Sequence, residues 1–327
     1  MYYEFFGLRK APFSLTPNPE FLYLTTGYRE AMAGLTYAIM AQKGFVVLTG
    51  DAGTGKTSVL ARVLGHLPEG RVQYSVIVNP TLTPSEFLEA ALMDFGLQDI
   101  PASKARRIAM LQTFLLTGLQ ERKIAALIVD EAHKLTPELI EEIRLLGNFE
   151  SPDEKLLQIV LVGQNELDQV LNGENLRQFK QRISLRLKIE PLSEEEIGRY
   201  IQYRWMKAGG SQAPFSANAI ASIGQASQGI PRVINLICDN ALLTAFGEQS
   251  ASVEPSHVAA VCRDLQLAVP QRTEMAVGTA QLPVVEAPVV ETTPLRTLAR
   301  YETAGAKRSL LARLAGKLKF TQRTESA

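Results

Sequence analysis

Gly50-Asp51-Ala52-Gly53-Thr54-Gly55-Lys56-Thr57 decides how this chain is read. Three glycines in eight positions let a backbone wrap closely around an anion with several N–H groups turned inward. At the spacing GxxxxGK[ST], Lys56 is placed to reach the β- and γ-phosphates of a nucleotide, and the Thr57 hydroxyl to coordinate Mg²⁺. Residues 45–49 just before the loop form a short apolar run of strand character, and 56–67 carry helical spacing. A helix opening directly after the loop adds its positive dipole end to the cradle. Gly50, Asp51, Ala52, Gly53, Thr54, Gly55, Lys56, Thr57 and Ser58 are therefore the candidate nucleotide-binding set.

Working outward, strand-like and helical segments alternate. Residues 28–42 have helical apolar spacing, 72–78 are β-branched, and 84–95 form a helix opened by Pro84. The spacing then predicts a helix over 104–122, a buried strand over 124–129, a helix over 137–146, and strands over 156–162 and 183–189. Alternation of this kind implies a mostly parallel sheet covered on both faces. After Pro191 the strands stop, and 193–207, 217–227, 231–246 and 255–267 all read as helices. Ser193 with Glu196 forms a capping box, and Glu254 or Ser256 marks the last start. The expected fold is α/β, a five-stranded mostly parallel sheet followed by an all-helical domain over 192–268.

The ends differ in character. Residues 1–27 are rich in aromatics and proline, unlike a disordered tail, and are expected to pack on the core. Residues 269–306 lack a period and read as a linker. In 307–320, Leu310, Leu311, Leu314 and Leu318 share one helical face beside Arg308, Arg313, Lys317 and Lys319, a basic amphipathic pattern within the tail 307–327. That helix suits an anionic membrane surface or a protein partner, with a solvated terminal helix as the alternative.

Formal net charge is zero, so no global field draws the chain to nucleic acid. Cys238 and Cys262 lie in apolar helical patterns without metal-ligand spacing and read as reduced core thiols. Neither a secretory leader nor a run long enough to span a bilayer stands out, so a cytoplasmic location is expected.

The second half of the candidate site is Ala125-Ala126-Leu127-Ile128-Val129-Asp130-Glu131-Ala132-His133, an apolar strand closing on two carboxylates. Asp130 is placed to hold Mg²⁺ through its water shell, and Glu131 to orient and deprotonate an attacking water. His133 reads as a packed or solvent-facing side chain, with a coupling role as the alternative.

These motifs, with Gly163-Gln164 at the end of the next strand and Gly229-Ile230-Pro231-Arg232 among the helices, resemble an AAA+ ATPase. More narrowly, FFGLRKAPFSLTPNPEFLYLTTGYREAMAGLTYAI at 5–39 and KGFVVLTGDAGTGKTS at 43–58 resemble the ExeA-like ATPases of bacterial secretion and pilus assembly. The resemblance covers roughly residues 1–267. It implies a central P-loop strand, a helical lid, ATP with Mg²⁺, and a homo-oligomer. It implies a sensor-1 role for Gln164 and a sensor-2 role for Arg232. It places an arginine finger within 176–183, where Arg182 is preferred over its competitors Arg177 and Arg186. It also implies that the N-terminal segment lies near adenine, with Phe6 and Phe13 as candidates. The family often has proline where this chain has Asn165, a loop change expected to matter little chemically. Better-known members continue into a membrane-spanning segment and a peptidoglycan-binding domain, whereas here a linker and a basic stretch follow.

The function this resemblance implies is Mg²⁺-dependent ATP hydrolysis coupled to assembly of a secretion, pilus or export machine. Its place would be the cytoplasm, peripherally at the inner membrane. Alternatives are a DNA-handling helper ATPase and a slow nucleotide-gated switch. Nucleic acid is not an expected partner, because Lys104-Ala105-Arg106-Arg107 is the one basic cluster of a slightly acidic core.

Overall fold

In a computed structural model, residues 2–268 are described, apart from 17, 153, 174 and 175. The expected linker and amphipathic tail lie outside the described residues. In chain order the elements are α1 (Tyr2–Phe5), α2 (Thr26–Met40), β1 (Phe45–Gly50), α3 (Lys56–Leu64), β2 (Val72–Ile77), α4 (Pro84–Asp94), α5 (Lys104–Gln120) and β3 (Ile124–Val129). There follow α6 (Pro137–Leu146), β4 (Leu157–Val162), α7 (Glu166–Leu171), α8 (Arg177–Lys180), β5 (Ile183–Ile189), α9 (Glu194–Lys207), α10 (Ala217–Ser227), α11 (Pro231–Gly247) and α12 (Pro255–Asp264).

The sheet order is β2-β3-β4-β1-β5, and every pairing is parallel. β1, β3 and β4 are buried along their whole length, which is why their sequences are continuous apolar runs without alternation. β5 alternates half-buried and exposed residues, as an edge strand does. At the opposite edge the Asp94 carboxylate accepts the Val76 N–H at 2.6 Å, so part of that edge is covered by a side chain. Two apolar cores flank the sheet. One gathers α4, α5 and α6 against β3 and β4; the other gathers α2 and α3.

Helix starts follow their caps. Ser193 accepts from Glu196 N–H while Glu196 returns the bond, and the Thr83–Glu86 pair does the same for α4. Glu254 caps α12, with His257 closing its box. α2, α4 and α5 end one or two residues before the spacing-based expectation, and α3 and α12 end three before it. α3 ends at Gly65, and α12 ends before Gln266, whose left-handed φ of 53° breaks the helical run. The short helices α7 and α8 had no apolar period to announce them.

The N-terminal segment packs chiefly on the helical domain. Leu8, Phe13 and Phe21 are buried in one core with Trp205, Phe215 and Ile234. Arg204, itself buried, donates to the carbonyls of Pro12 and Ser14, and the Arg9 N–H donates to Ala208 O at 2.9 Å. Leu22 and Leu24 pack against the α2–α3 core while Tyr23 between them faces Tyr200 and Tyr203, the two-sided pattern of extended backbone.

The second crossing between sheet and helices passes Leu192, whose N–H donates to Gly229 O at 2.8 Å. Gly229 has φ 75°, and a Cβ there would lie 2.1 Å from Leu192 O. Gly229→Ala should therefore cost about 3 kcal/mol, combining left-handed strain with a backbone clash. Urea unfolding followed through Trp205, the only tryptophan and a buried one, measures it; an unchanged midpoint would exclude the clash.

Candidate nucleotide-binding site

β1 delivers Gly50 to the carboxyl end of the sheet beside β4, where ligands of open parallel sheets bind. The loop then turns through Gly53 at φ 81° and Gly55 at φ 90°, and α3 begins at Lys56. Gly53 is required by close approach as well as by φ. A Cβ there would meet Arg232 Cβ at 2.9 Å and Ile230 Cγ2 at 3.1 Å, so the start of α11 sits directly on the loop. The Arg232 N–H also donates to Gly53 O at 3.3 Å.

Side chains of the loop itself help to hold it. Thr54 Oγ1 donates to Asp51 O at 2.8 Å, and Lys56 Nζ donates to Gly50 O and Asp51 O, both at 2.8 Å. From α2, Tyr28 OH donates to Thr54 O at 2.5 Å. Tyr28 is buried and its phenol is pushed far above the ordinary tyrosine range by desolvation, so it acts as a fixed donor. Its spacing within the α2 pattern gave no sign of this contact. Burial lowers the Lys56 ammonium from its usual range, and the carboxylates of Asp130, Glu131, Asp51 and Glu166 oppose that shift. Thr57 and Ser58 follow half-buried in the first turn of α3.

β3 lies beside β4, and its end brings Asp130 to the loop. Thr57 Oγ1 donates to Asp130 Oδ2 at 2.9 Å, while Asp130 Oδ1 accepts the Glu131 N–H at 2.9 Å. Burial raises the Asp130 carboxyl above the usual carboxylate range, and its bonds to Thr57 and Glu131 work against that rise. Glu131 itself has φ 57°, a strained conformation for a side-chain-bearing residue, which sets its carboxylate 3.2 Å from Lys134 Nζ. Among the described residues no three His, Cys, Asp or Glu side chains gather as a metal cluster. One hydroxyl and one carboxylate is instead the donor set of a Mg²⁺ that keeps waters and takes phosphate oxygens, so Thr57 and Asp130 fit that ion.

β4 ends at Val162 and hands the chain to Gly163 and Gln164. Gln164 meets His133: its backbone N–H lies 3.3 Å from Nδ1 and its side-chain nitrogen 3.1 Å from Nε2. The next residue bears on the expectation that Asn165 matters little chemically. Asn165 Nδ2 donates to Asp51 Oδ1 at 2.5 Å, tying the loop after β4 to the phosphate loop, a bond proline could not make. Among the described residues its Oδ1 is buried without a hydrogen-bond partner. Asn165→Pro should weaken nucleotide binding about fivefold, the roughly 1 kcal/mol net worth of one ordinary hydrogen bond. Equilibrium titration with a fluorescent ATP analogue measures it, and unchanged affinity would return Asn165 to the status of a neutral loop residue.

The arginines separate by place. Arg232 is exposed beside Gly53, and among the described residues its guanidinium has no ion-pair partner. Arg186 pairs with Asp168 at 2.8 Å, and Asp168 also accepts from Thr49 at 2.8 Å. Arg177 is exposed on α8. Arg182 donates to Arg144 O and Asn148 Oδ1 immediately before β5, whose first residue pairs with Phe45 at the start of β1. It thus sits at the far end of the sheet from Gly50. The adenine expectation fails at Phe13, which is fully buried against Phe215, and Phe6 packs edge-on against Trp205 at 6.0 Å.

Residues 39–171 match the AAA domain family. Over 254 residues the chain is 42% identical to General secretion pathway protein A of Aeromonas hydrophila, covering 77% of this chain and 46% of that protein. It therefore spans about half the length of this curated relative. Among solved structures it is similar to the ORC2 protein of Aeropyrum pernix, with TM-score 0.58, 16% identity, and 80% and 73% of the two chains covered. It is likewise similar to Cdc6p of Pyrobaculum aerophilum, with TM-score 0.59, 16% identity, and 77% and 70% covered. At such identity these two likenesses concern the fold alone.

Proposed function

Because the chain belongs to the AAA+ P-loop ATPases and resembles their ExeA-like members, we propose that it hydrolyses ATP with Mg²⁺ to drive assembly of a bacterial secretion, pilus or export machine. The observation that carries the chemistry is the Thr57–Asp130 contact, 2.9 Å long, next to a buried Lys56 and followed at once by Glu131. Lys56 and the loop N–H groups bind the phosphates, and Thr57 and Asp130 hold Mg²⁺, which supplies charge neutralisation during phosphoryl transfer. Glu131 accepts the proton of the attacking water, and Gln164 donates to the γ-phosphate or to that water. Residues 192–268 act as a lid, with Arg232 closing onto the phosphates from its place over Gly53.

Arg182 serves a neighbouring copy, since its own loop lies five strand residues away, roughly 16 Å at the rise of a β-strand. A homo-oligomer follows from that. The coupling to a machine rests on the relative whose name places it in general secretion. Among the described residues no helix is long and apolar enough to cross a membrane, which suits peripheral work on the cytoplasmic side of the inner membrane, with 307–320 as the membrane-facing element. The DNA-handling alternative loses its basic cluster: Arg107 is buried and pairs with Glu89, and Lys104 pairs with buried Glu142.

Phosphate release in Mg²⁺ and in excess chelator tests the chemistry. Thr57→Ala should lose about 100-fold in turnover at fixed Mg²⁺. Turnover that is unaffected by chelator, or that appears only with DNA, would overturn the proposal.

A further inference from the structure

The imidazole of His133 touches both groups assigned to water activation, and we infer that it is a positioning residue that fixes which end of the Gln164 amide faces the nucleotide. This rests on the roles proposed for Glu131 and Gln164. His133 follows the strained Glu131 in a short 3-10 turn, Ala132–Lys134. Its side chain is largely enclosed, 13% exposed, with Nε2 3.6 Å from Glu131 Oε2. The loop after β4 comes close to it because Gly163 has no side chain: a Cβ there would meet His133 N at 3.1 Å.

The hydrogen-bond logic fixes the proton. The Gln164 backbone N–H, 3.3 Å from Nδ1, can only donate, so Nδ1 accepts and the ring proton sits on Nε2. The Gln164 amide, 3.1 Å from Nε2, must then present its oxygen, because two donors cannot share a bond. With its oxygen held by His133, the amide NH₂ is left to donate, and a sensor of γ-phosphate or lytic water oxygen needs a donor. Without His133 the amide is released, and its carbonyl can face the phosphate as readily as its NH₂.

His133→Ala should reduce kcat about tenfold while leaving equilibrium ATP affinity within about twofold, the pattern of an interaction that acts on the transition state. His133→Asn keeps an acceptor at the Nδ1 position but loses the Nε2 arm, and it should fold and show the same kcat defect. His133→Gln keeps the longer arm and should recover part of the rate. In a Gln164→Ala background His133→Ala should cost less than about twofold, because the amide it orients is gone. Fully additive losses, or a wild-type kcat in both His133→Ala and His133→Asn, would overturn the inference. A Glu131→Gln control run alongside separates the two levels: normal turnover there overturns the proposed base, whereas a dead Glu131→Gln beside a normal His133→Ala overturns only the role of His133.

Discussion

Arg182→Ala should lower ATP turnover about 10³-fold at protein concentrations where the wild type assembles, with ATP binding unchanged. Removal of an arginine finger has this large effect because its charge meets the phosphoryl group only as charge develops there. Place separates Arg182 from its competitors. Arg186 lies midway along β5, opposite Val47 and taken up by Asp168, whereas Arg182 stands just before the start of that strand against Arg144 O and Asn148. In the proposed homo-oligomer it would from there serve the site of another copy. Mixing provides the check. Arg182→Ala retains a whole cradle, and Lys56→Ala retains the finger, so two inactive preparations combined should regain turnover that neither has alone. Failure of the mixture, with both variants still assembling, would remove Arg182 from the role and return the question to Arg177.

Glu131→Gln should reduce turnover about 100-fold or more while ATP stays bound. The substitution keeps the length and shape of the side chain and removes its ability to take a proton. It also removes a negative charge that lies near enough to Lys56 to affect that ammonium, so phosphate binding should be equal or tighter. Nucleotide retained on the purified variant, set against phosphate released per hour, measures both halves. Undiminished turnover would show that another group accepts the proton. Because this variant stays ATP-bound, what co-purifies with it also tests the machine: a secretion or pilus component supports the proposed coupling, and a purely nucleic-acid partner refutes it.

Much of the fold was legible because periodicity and caps are local. β3 at Ile124–Val129, β5 at Ile183–Ile189, α6 at Pro137–Leu146 and α10 at Ala217–Ser227 end where the apolar pattern or its cap ends. The short α7 and α8 escaped because six and four residues are too few to show a helical period. At the candidate site, the glycine loop and the Asp130-Glu131 pair announce themselves by residue type at fixed spacing, and the sheet brings them together. The supporting contacts could not be read in the same way. Tyr28 to Thr54, Asn165 to Asp51 and His133 to Gln164 each join polar side chains to loops distant in sequence. Nothing local at either partner marks the meeting; only the packed strand ends do. For Asn165 the loop sequence alone gave no sign of its bond to Asp51. The aromatic N-terminus was legible as a packed segment but not as to where, since aromatic content says that a partner exists without naming it.

The burial of Phe13 and Phe21 among α9, α10 and α11 has a mechanical consequence. The helical body is built from both flanks of the chain, and the sheet domain is inserted between them like a loop in a clasp. Two strands of backbone, at 22–25 and 190–192, therefore join the bodies where a simple appended domain would have one. A single tether permits swivelling in any direction, but two side-by-side tethers leave one easy axis, so a lid motion of the kind proposed would be a rocking over Gly53 and not a twist away from it. Tyr28 lies one turn beyond the first tether and grips Thr54, which places the loop within reach of that rocking. The aromatic segment and α11 share one core from opposite sides of the sheet domain in the chain, so that core is complete only when both flanks are present.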